Sequence, residues 1–172
     1  RLLGGGLAYE AYLAYDEVTL GPVVVKVIRP DQVEDRGSVR LLRREIETLV
    51  AVNHPAIVRS LRSDLEDERP HVVLEHVEGP RLSSLIRRHG PLQEQQFLPL
   101  AVEVSSALHY LALLGYVHLD IKPGNIIMGA PAKLIDLSLA RDVDAARELT
   151  HVVGTDAYMA PEQCDPQGHG RP

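Results

Sequence analysis

Asp120, Lys122 and Asn125 stand within six positions of one another in "YVHLDIKPGNIIM" (116–128), and Asp136 follows in "AKLIDL". Each residue type suits one part of a single reaction. Asp120 can accept a proton from a hydroxyl nucleophile, and Lys122 can neutralise charge on a transferred group. Asn125 and Asp136, both at strand ends, offer oxygen ligands to a hard divalent cation. Phosphoryl transfer asks for positioning and charge neutralisation, which this set supplies. Asp-x-Lys-Pro-Gly-Asn is also good turn chemistry, which accounts for any one of these residues but not for the set.

Two further charges sit where charge is costly. Lys26 lies in the middle of the apolar run "GPVVVKVIRP" (21–30), on the face opposite Val25 and Val27. A buried ammonium needs an anion. Glu45 falls on a helical stripe with Leu42, Ile46 and Leu49, so the two can satisfy one another or together hold a phosphate. A lysine reaching out of a strand and a solvated helix glutamate are the ordinary alternatives. Ahead of them, "GGGLAYEAY" places backbone N–H groups in a glycine turn that can cradle phosphate, although any tight hairpin uses glycine too.

These groups need elements to position them. The β-branched run 21–30 reads as a strand, and the preceding residues as two strand segments joined by the glycine turn. "SVRLLRREIETLVAVNH" (38–54) is helical, with Ser38 as N-cap and His54-Pro55 as stop. "AIVRSLRSDL" and "PHVVLEHV" are two more strands, so the first 77 residues form a small sheet with one helix. "VEGPRL" is a connector. Helices follow in "RLSSLIRRHG", closed by its glycine, and in the long apolar "EQQFLPLAVEVSSALHYLALLG", where Pro99 belongs to the first turns or kinks the helix. "YVHLDI", "NIIM" and "AKLIDL" read as short strands, and the residues from there to about 158 as loop.

The 172 residues are 45% hydrophobic and 24% charged, an ordinary globular composition. A net charge of −6 with scattered basic residues argues against nucleic acid as a partner. The single cysteine, Cys164, excludes an internal disulfide and fits a reducing compartment. No apolar run approaches the roughly 18 residues of a membrane span. The chain opens on Arg1 and closes on the polar "CDPQGHGRP", which reads as a piece of a longer protein.

Taken in order, the glycine cluster, Val-Val-Val-Lys26, Glu45 in "RREIE", "HLDIKPGN", "IDLSLA" and "GTDAYMAPEQ" closely resemble the eukaryotic-like serine/threonine protein kinases of bacteria. The spacings agree: 19 residues from Lys26 to Glu45, 16 from Asp120 to Asp136, 26 from Asp136 to Glu162. The resemblance implies an α+β, bilobal kinase fold. Residues 1–77 would be the β-rich small lobe, and 78–172 the first part of the helical large lobe, truncated after Ala160-Pro161-Glu162. It implies ATP-dependent phosphorylation of Ser/Thr hydroxyls on proteins, with autophosphorylation, in signal transduction. ATP and Mg2+ are the implied cofactors, with Mn2+ as a substitute. Lys26 would contact phosphates and pair with Glu45; Asp120 would be the catalytic aspartate and Lys122 its phosphate-contacting neighbour. Asn125 and Asp136 would hold the metal. Gly4, Gly6, Ala11, Val24, Leu74, Ile127 and the backbone from Glu75 to Val77 would surround the nucleotide. The implied setting is cytoplasmic, or the cytosolic part of a membrane-anchored protein, with protein substrates and a homodimer for autophosphorylation as partners.

The departures from the family pattern carry their own expectations. Tyr9 replaces the third glycine, which implies weaker closure of the loop. Ala11 and Val24 exchange the usual valine and alanine, a volume-conserving swap. Ser138 replaces a glycine and pays more for a positive φ. Leu119 replaces the arginine that pairs with a phosphorylated activation-loop residue, which removes a switch and leaves the base; Thr150 is the candidate phosphosite. Thr155 marks the serine/threonine class. The competing readings are a pseudokinase or nucleotide-binding scaffold with a regulatory role in protein interaction, and a small-molecule phosphotransferase, against which "GTDAYMAPEQ" argues. With the later helices absent, the long helix would expose an apolar stripe, and the isolated piece is expected to be poorly stable.

Overall fold

The computed structural model describes residues 1–165, which divide into two compact units: Arg1–Asn53 with Val58–Val77, and His54–Ile57 with the chain from Glu78 onward. The first unit is a five-stranded antiparallel sheet in the order β1-β2-β3-β5-β4. Its strands are β1 (Leu2–Gly5), β2 (Tyr9–Asp16), β3 (Gly21–Ile28), β4 (Ser60–Asp64) and β5 (His71–Glu75). Val23, Val27, Ile28, Val72 and Val73 bury the centre of the sheet, as β-branched residues on a pleated surface do. Helix α1 (Arg36–Ala51) packs on β3, β4 and β5, and buries Leu42, Glu45, Ile46 and Leu49 along one stripe.

The cap of α1 differs from the sequence reading. Asp35, not Ser38, is the N-cap; its Oδ2 accepts from the Ser38 N–H at 2.7 Å and from the Ser38 hydroxyl at 2.8 Å. Either residue type can cap, and the acidic one three positions earlier adds a full turn to the helix. The β2–β3 hairpin is closed by Asp16, whose carboxylate takes Arg62 in two contacts of 2.6 and 3.0 Å and also accepts from Thr19.

The second unit is mainly helical, with α2 (Leu82–His89) and α3 (Glu94–Leu113). Gly90 at φ 79° and Gly115 at φ 77° follow their ends, a conformation glycine adopts without steric cost. Pro99 sits in the second turn of α3, which continues through it. The apolar composition of α3 shows at its surface: Phe97, Leu98, Val102 and Leu113 are exposed. His54 ties residues 54–57 to this unit, bonding Ser106 at 3.2 Å and lying against Tyr110. Three two-residue pieces replace the longer strands read from sequence: β6 (Tyr116–Val117), β7 (Ile126–Ile127) and β8 (Lys133–Leu134). β7 pairs with β8, and β6 with a further strand, β9 (Arg141–Asp142).

The residues up to 158 are not all loop. Asp142 caps a short helix, α4 (Val143–Arg147), by accepting from the Ala145 N–H at 2.8 Å. A helix this short has no apolar period to detect. Pro161–Cys164 forms a last turn, α5, so the "CDPQGHGRP" stretch begins inside it; residues 166–172 lie outside the described residues. Among the described residues no helix is long and apolar enough to cross a membrane.

Candidate active site

The first unit holds the lysine side of the site. Strand alternation turns Lys26 to the same face as Val24, and α1 turns Glu45 toward it. The ammonium lies 2.7 and 2.9 Å from the two Glu45 oxygens. Glu45 is 1% exposed and Lys26 7%, so each neutralises a charge the other would leave stranded. The ordinary alternatives of a strand lysine in solvent and a solvated glutamate are therefore excluded. Ala11 is paired with Lys26 and Val24 with both Leu13 and Leu74, so Ala11, Val24 and Leu74 share one sheet face. Glu75 ends β5 with its N–H committed to the Arg59 carbonyl at 3.0 Å, and Val77 lies beyond the strand.

The glycine turn is built around Tyr9. The Gly6 N–H donates to the Tyr9 carbonyl at 2.9 Å, and a Cβ on Gly5 would lie 2.7 Å from that same oxygen. Gly5 therefore has to be glycine to let the turn close. Gly4 and Gly6 face open space, and Gly4 takes φ 154°. Tyr9 does more than replace a glycine: its ring centroid lies 4.0 Å from the Lys26 ammonium.

The second unit gathers Asp120, Lys122 and Asn125, with Thr155 added from far along the chain. Thr155 donates to Asp120 Oδ1 at 2.6 Å and accepts from Lys122 at 2.8 Å. Lys122 also pairs with Asp120 Oδ2 at 2.7 Å, and Asn125 donates to that oxygen at 2.9 Å and to the Asp120 carbonyl at 3.0 Å. Charged partners make these among the stronger hydrogen bonds. Asn125 precedes β7, and its carbonyl accepts from the Ile135 N–H at 2.9 Å, which draws Asp136 next to it; Ile127 pairs with Lys133 in the same ladder.

The backbone is strained at two of these points. Leu119 has φ 64° and Asp136 φ 70°, each a conformation costing on the order of 1–3 kcal/mol outside glycine. The cost anticipated at Ser138 falls instead on Asp136, whose carboxylate accepts from the Ser138 N–H at 3.4 Å. Leu119 is held by Gln163, which donates to its carbonyl at 2.9 Å and to that of Val153 at 3.0 Å. Gly154 packs against the same carbonyl; a Cβ there would approach it to 2.7 Å. The Leu119 side chain lines a cavity of about 280 Å³ with Val143, Ala146, Leu149 and Val153. The position read as a lost arginine thus borders this cavity, which Arg147, His151 and Glu162 line as well. Beside it, His118 is 4% exposed and its Nδ1 accepts from the Asp120 N–H at 3.3 Å. Burial holds its pKa below the usual imidazole range, against the upward pull of Asp136 and Asp120.

The donor set fits a divalent cation shared with phosphate. Asn125 uses its amide NH2 on Asp120, which leaves its side-chain carbonyl oxygen as an acceptor, and its backbone carbonyl takes the N–H of Ile135, the residue before Asp136. No cluster of three or more His, Cys, Asp or Glu able to hold a metal by itself occurs among the described residues. Two protein oxygens completed by phosphate and water is the arrangement magnesium favours.

Sequence reasoning took Thr155 as a class marker and missed Gln163 and Gly154 as braces of the loop. The 35-residue separation of Thr155 from Asp120 leaves no local period to read.

The chain belongs to the protein kinase domain family, which it matches over residues 1–172. It is 32% identical to the serine/threonine-protein kinase PknB of Mycobacterium leprae, over 94% of this chain and 28% of that protein. To PknB of Mycobacterium tuberculosis (strain H37Rv) it is 33% identical, over 95% and 28%, and to PrkC of Bacillus subtilis 33%, over 95% and 26%. The chain therefore spans little more than a quarter of the length of these relatives. The family uses ATP with a divalent metal.

Proposed function

We propose that this domain binds ATP with Mg2+ and transfers a phosphoryl group to serine or threonine hydroxyls of proteins, its own chain included, as part of a signalling protein. The observation that carries the reading is the Asp120 carboxylate, held at both oxygens by Thr155, Lys122 and Asn125, with Asp136 beside Asn125. When bound, ATP supplies the transferable phosphoryl group and the metal offsets its charge.

The protein's own residues divide the remaining work. Asp120 accepts the proton of the incoming hydroxyl; a carboxylate has about four acceptor sites, so the bonds it already makes leave room. Lys122 faces the transferred group while Thr155 fixes its ammonium. Asn125 and Asp136 ligate the metal. Lys26, oriented by Glu45, binds phosphate, and Gly4 and Gly6, with open space where a Cβ would stand, let phosphate approach the backbone. Ala11, Val24 and Leu74 offer the base an apolar sheet face, and Glu75 to Val77 backbone hydrogen bonds. Leu119 in place of an arginine, with its carbonyl held by Gln163, supports an activation segment ordered with little dependence on phosphorylation.

The test is magnesium-dependent autophosphorylation by the full-length protein, wild type beside Asp120→Asn. We expect label on the wild type and a loss of about 10²–10⁴-fold in the variant, the range for removing a general base. Equal labelling of both would remove Asp120 from the chemistry. No labelling of either, with nucleotide still raising the melting temperature, would favour the scaffold reading.

A further inference from the structure

Lys26 has little open surface. Glu45 occupies one side of its ammonium, and the Tyr9 ring lies 4.0 Å away with its centroid toward the charge. The ring arrives there through strand register: Ala11 stands directly opposite Lys26, so Tyr9, two residues earlier, is the diagonal neighbour on the same face. Diagonal neighbours in an antiparallel pair come within reach of an aromatic ring, and the small Ala11 side chain leaves space over the lysine. The turn pins the Tyr9 backbone through Gly5 and Gly6, so the side chain moves by its own torsions or not at all.

We propose that Tyr9 gates Lys26: the ring holds the face of the ammonium that a nucleotide phosphate needs, and phosphate contact requires the ring to swing away. This inference rests on the nucleotide-binding reading above. Glu45 is 1% exposed and fixed in the α1 stripe, while Tyr9 is only half-buried. Tyr9 is the one that yields. Giving up a partly desolvated cation–π contact makes phosphorylated nucleotides bind more weakly than they would to a small residue at position 9. The base and ribose make no demand on Lys26, so adenosine escapes the penalty.

The experiment measures affinities of the full-length protein for adenosine, ADP and ATP by calorimetry, for wild type, Tyr9→Ser, Tyr9→Leu and Tyr9→Phe. We expect Tyr9→Ser to bind ADP and ATP about two- to thirty-fold more tightly, the range a cation–π contact spans, with adenosine unchanged. Tyr9→Leu, which keeps bulk and loses the ring quadrupole, should shift the same way by less; Tyr9→Phe should behave as wild type. Unchanged adenosine affinity also reports an intact fold. Adenosine binding without tighter ADP binding in Tyr9→Ser and Tyr9→Leu overturns the gate and leaves the nucleotide reading standing. Tightening of all three ligands alike also overturns it, because the ring would then obstruct the base. Binding of none of them to any variant overturns the nucleotide reading and the gate together.

Discussion

The two units hold their charged groups by different means. In the first, Lys26 and Glu45 come from a regular strand and a regular helix, and burial of 7% and 1% residual exposure locks the pair. In the second, Asp120 is held by four short contacts from a loop whose backbone is strained at Leu119 and Asp136. The first arrangement depends on desolvation, so breaking it costs stability before it costs chemistry. The second depends on hydrogen-bond geometry in a loop, so breaking it costs chemistry first. A mutation in each unit can be read on both scales, and the contrast predicts opposite signatures.

The largest stability effect belongs to the first unit. Glu45→Ala takes the carboxylate away from a buried ammonium, and removing one partner of a buried pair costs about 3–5 kcal/mol. Denaturant unfolding should show that loss. Adding Lys26→Met to Glu45→Ala should recover most of it, because both members of the buried pair are then gone, while leaving the protein inactive. If the double variant is no more stable than the single one, the pair is held by packing rather than by charge, and the contrast between the units weakens.

Thr155→Ala tests the second unit. It removes one donor from Asp120 and one acceptor from Lys122, each a charged hydrogen bond worth about 1.5–3 kcal/mol. Steady-state kinetics should show kcat down about ten- to hundred-fold, with KM for ATP and the unfolding midpoint little changed, and Thr155→Ser restoring kcat. A large drop in melting temperature with kcat per folded molecule intact would mean that Thr155 braces the fold instead of the base.

This difference between the units also decides what the amino-acid order makes legible. Lys26 and Glu45 each interrupt an apolar period, two-residue for the strand and 3.6 for the helix, so the pattern offers each as a partner for the other beside the ordinary solvated alternatives, and the structure decides for the pair. Asp120, Lys122 and Asn125 are recognisable as residue types, but nothing local shows that Thr155 joins them. The same holds for Gly154 and Gln163, which matter because they touch one carbonyl, that of Leu119. Tyr9 is the instructive middle case. As a departure from a glycine pattern it reads as a loss, and only strand register turns it into a ring over Lys26. Helix α4 was invisible because five residues contain no period.

The smallest effect sharpens the comparison from outside the site. Asp16 braces the β2–β3 hairpin against β4, and its carboxyl is held well below the usual range, first by the hydrogen bond from Arg62 and then by that from Thr19. A carboxyl with a depressed folded pKa contributes its full stability above the unfolded value of about 3.9 and loses it as pH falls toward the folded value. Arg62 is 47% exposed at its side chain, so solvent screens much of the contact. The gap in melting temperature between wild type and Asp16→Asn should therefore be modest and constant from about pH 8 to pH 5, and should close as pH drops below about 4. Asparagine has no proton to gain, so only the wild type changes. A gap that persists undiminished to about pH 2 would mean that the side chain is needed for its shape in the turn with Thr19. The first unit would then be held by geometry at its hairpin, as the second is at its loop, and burial of charge would distinguish only the Lys26–Glu45 pair.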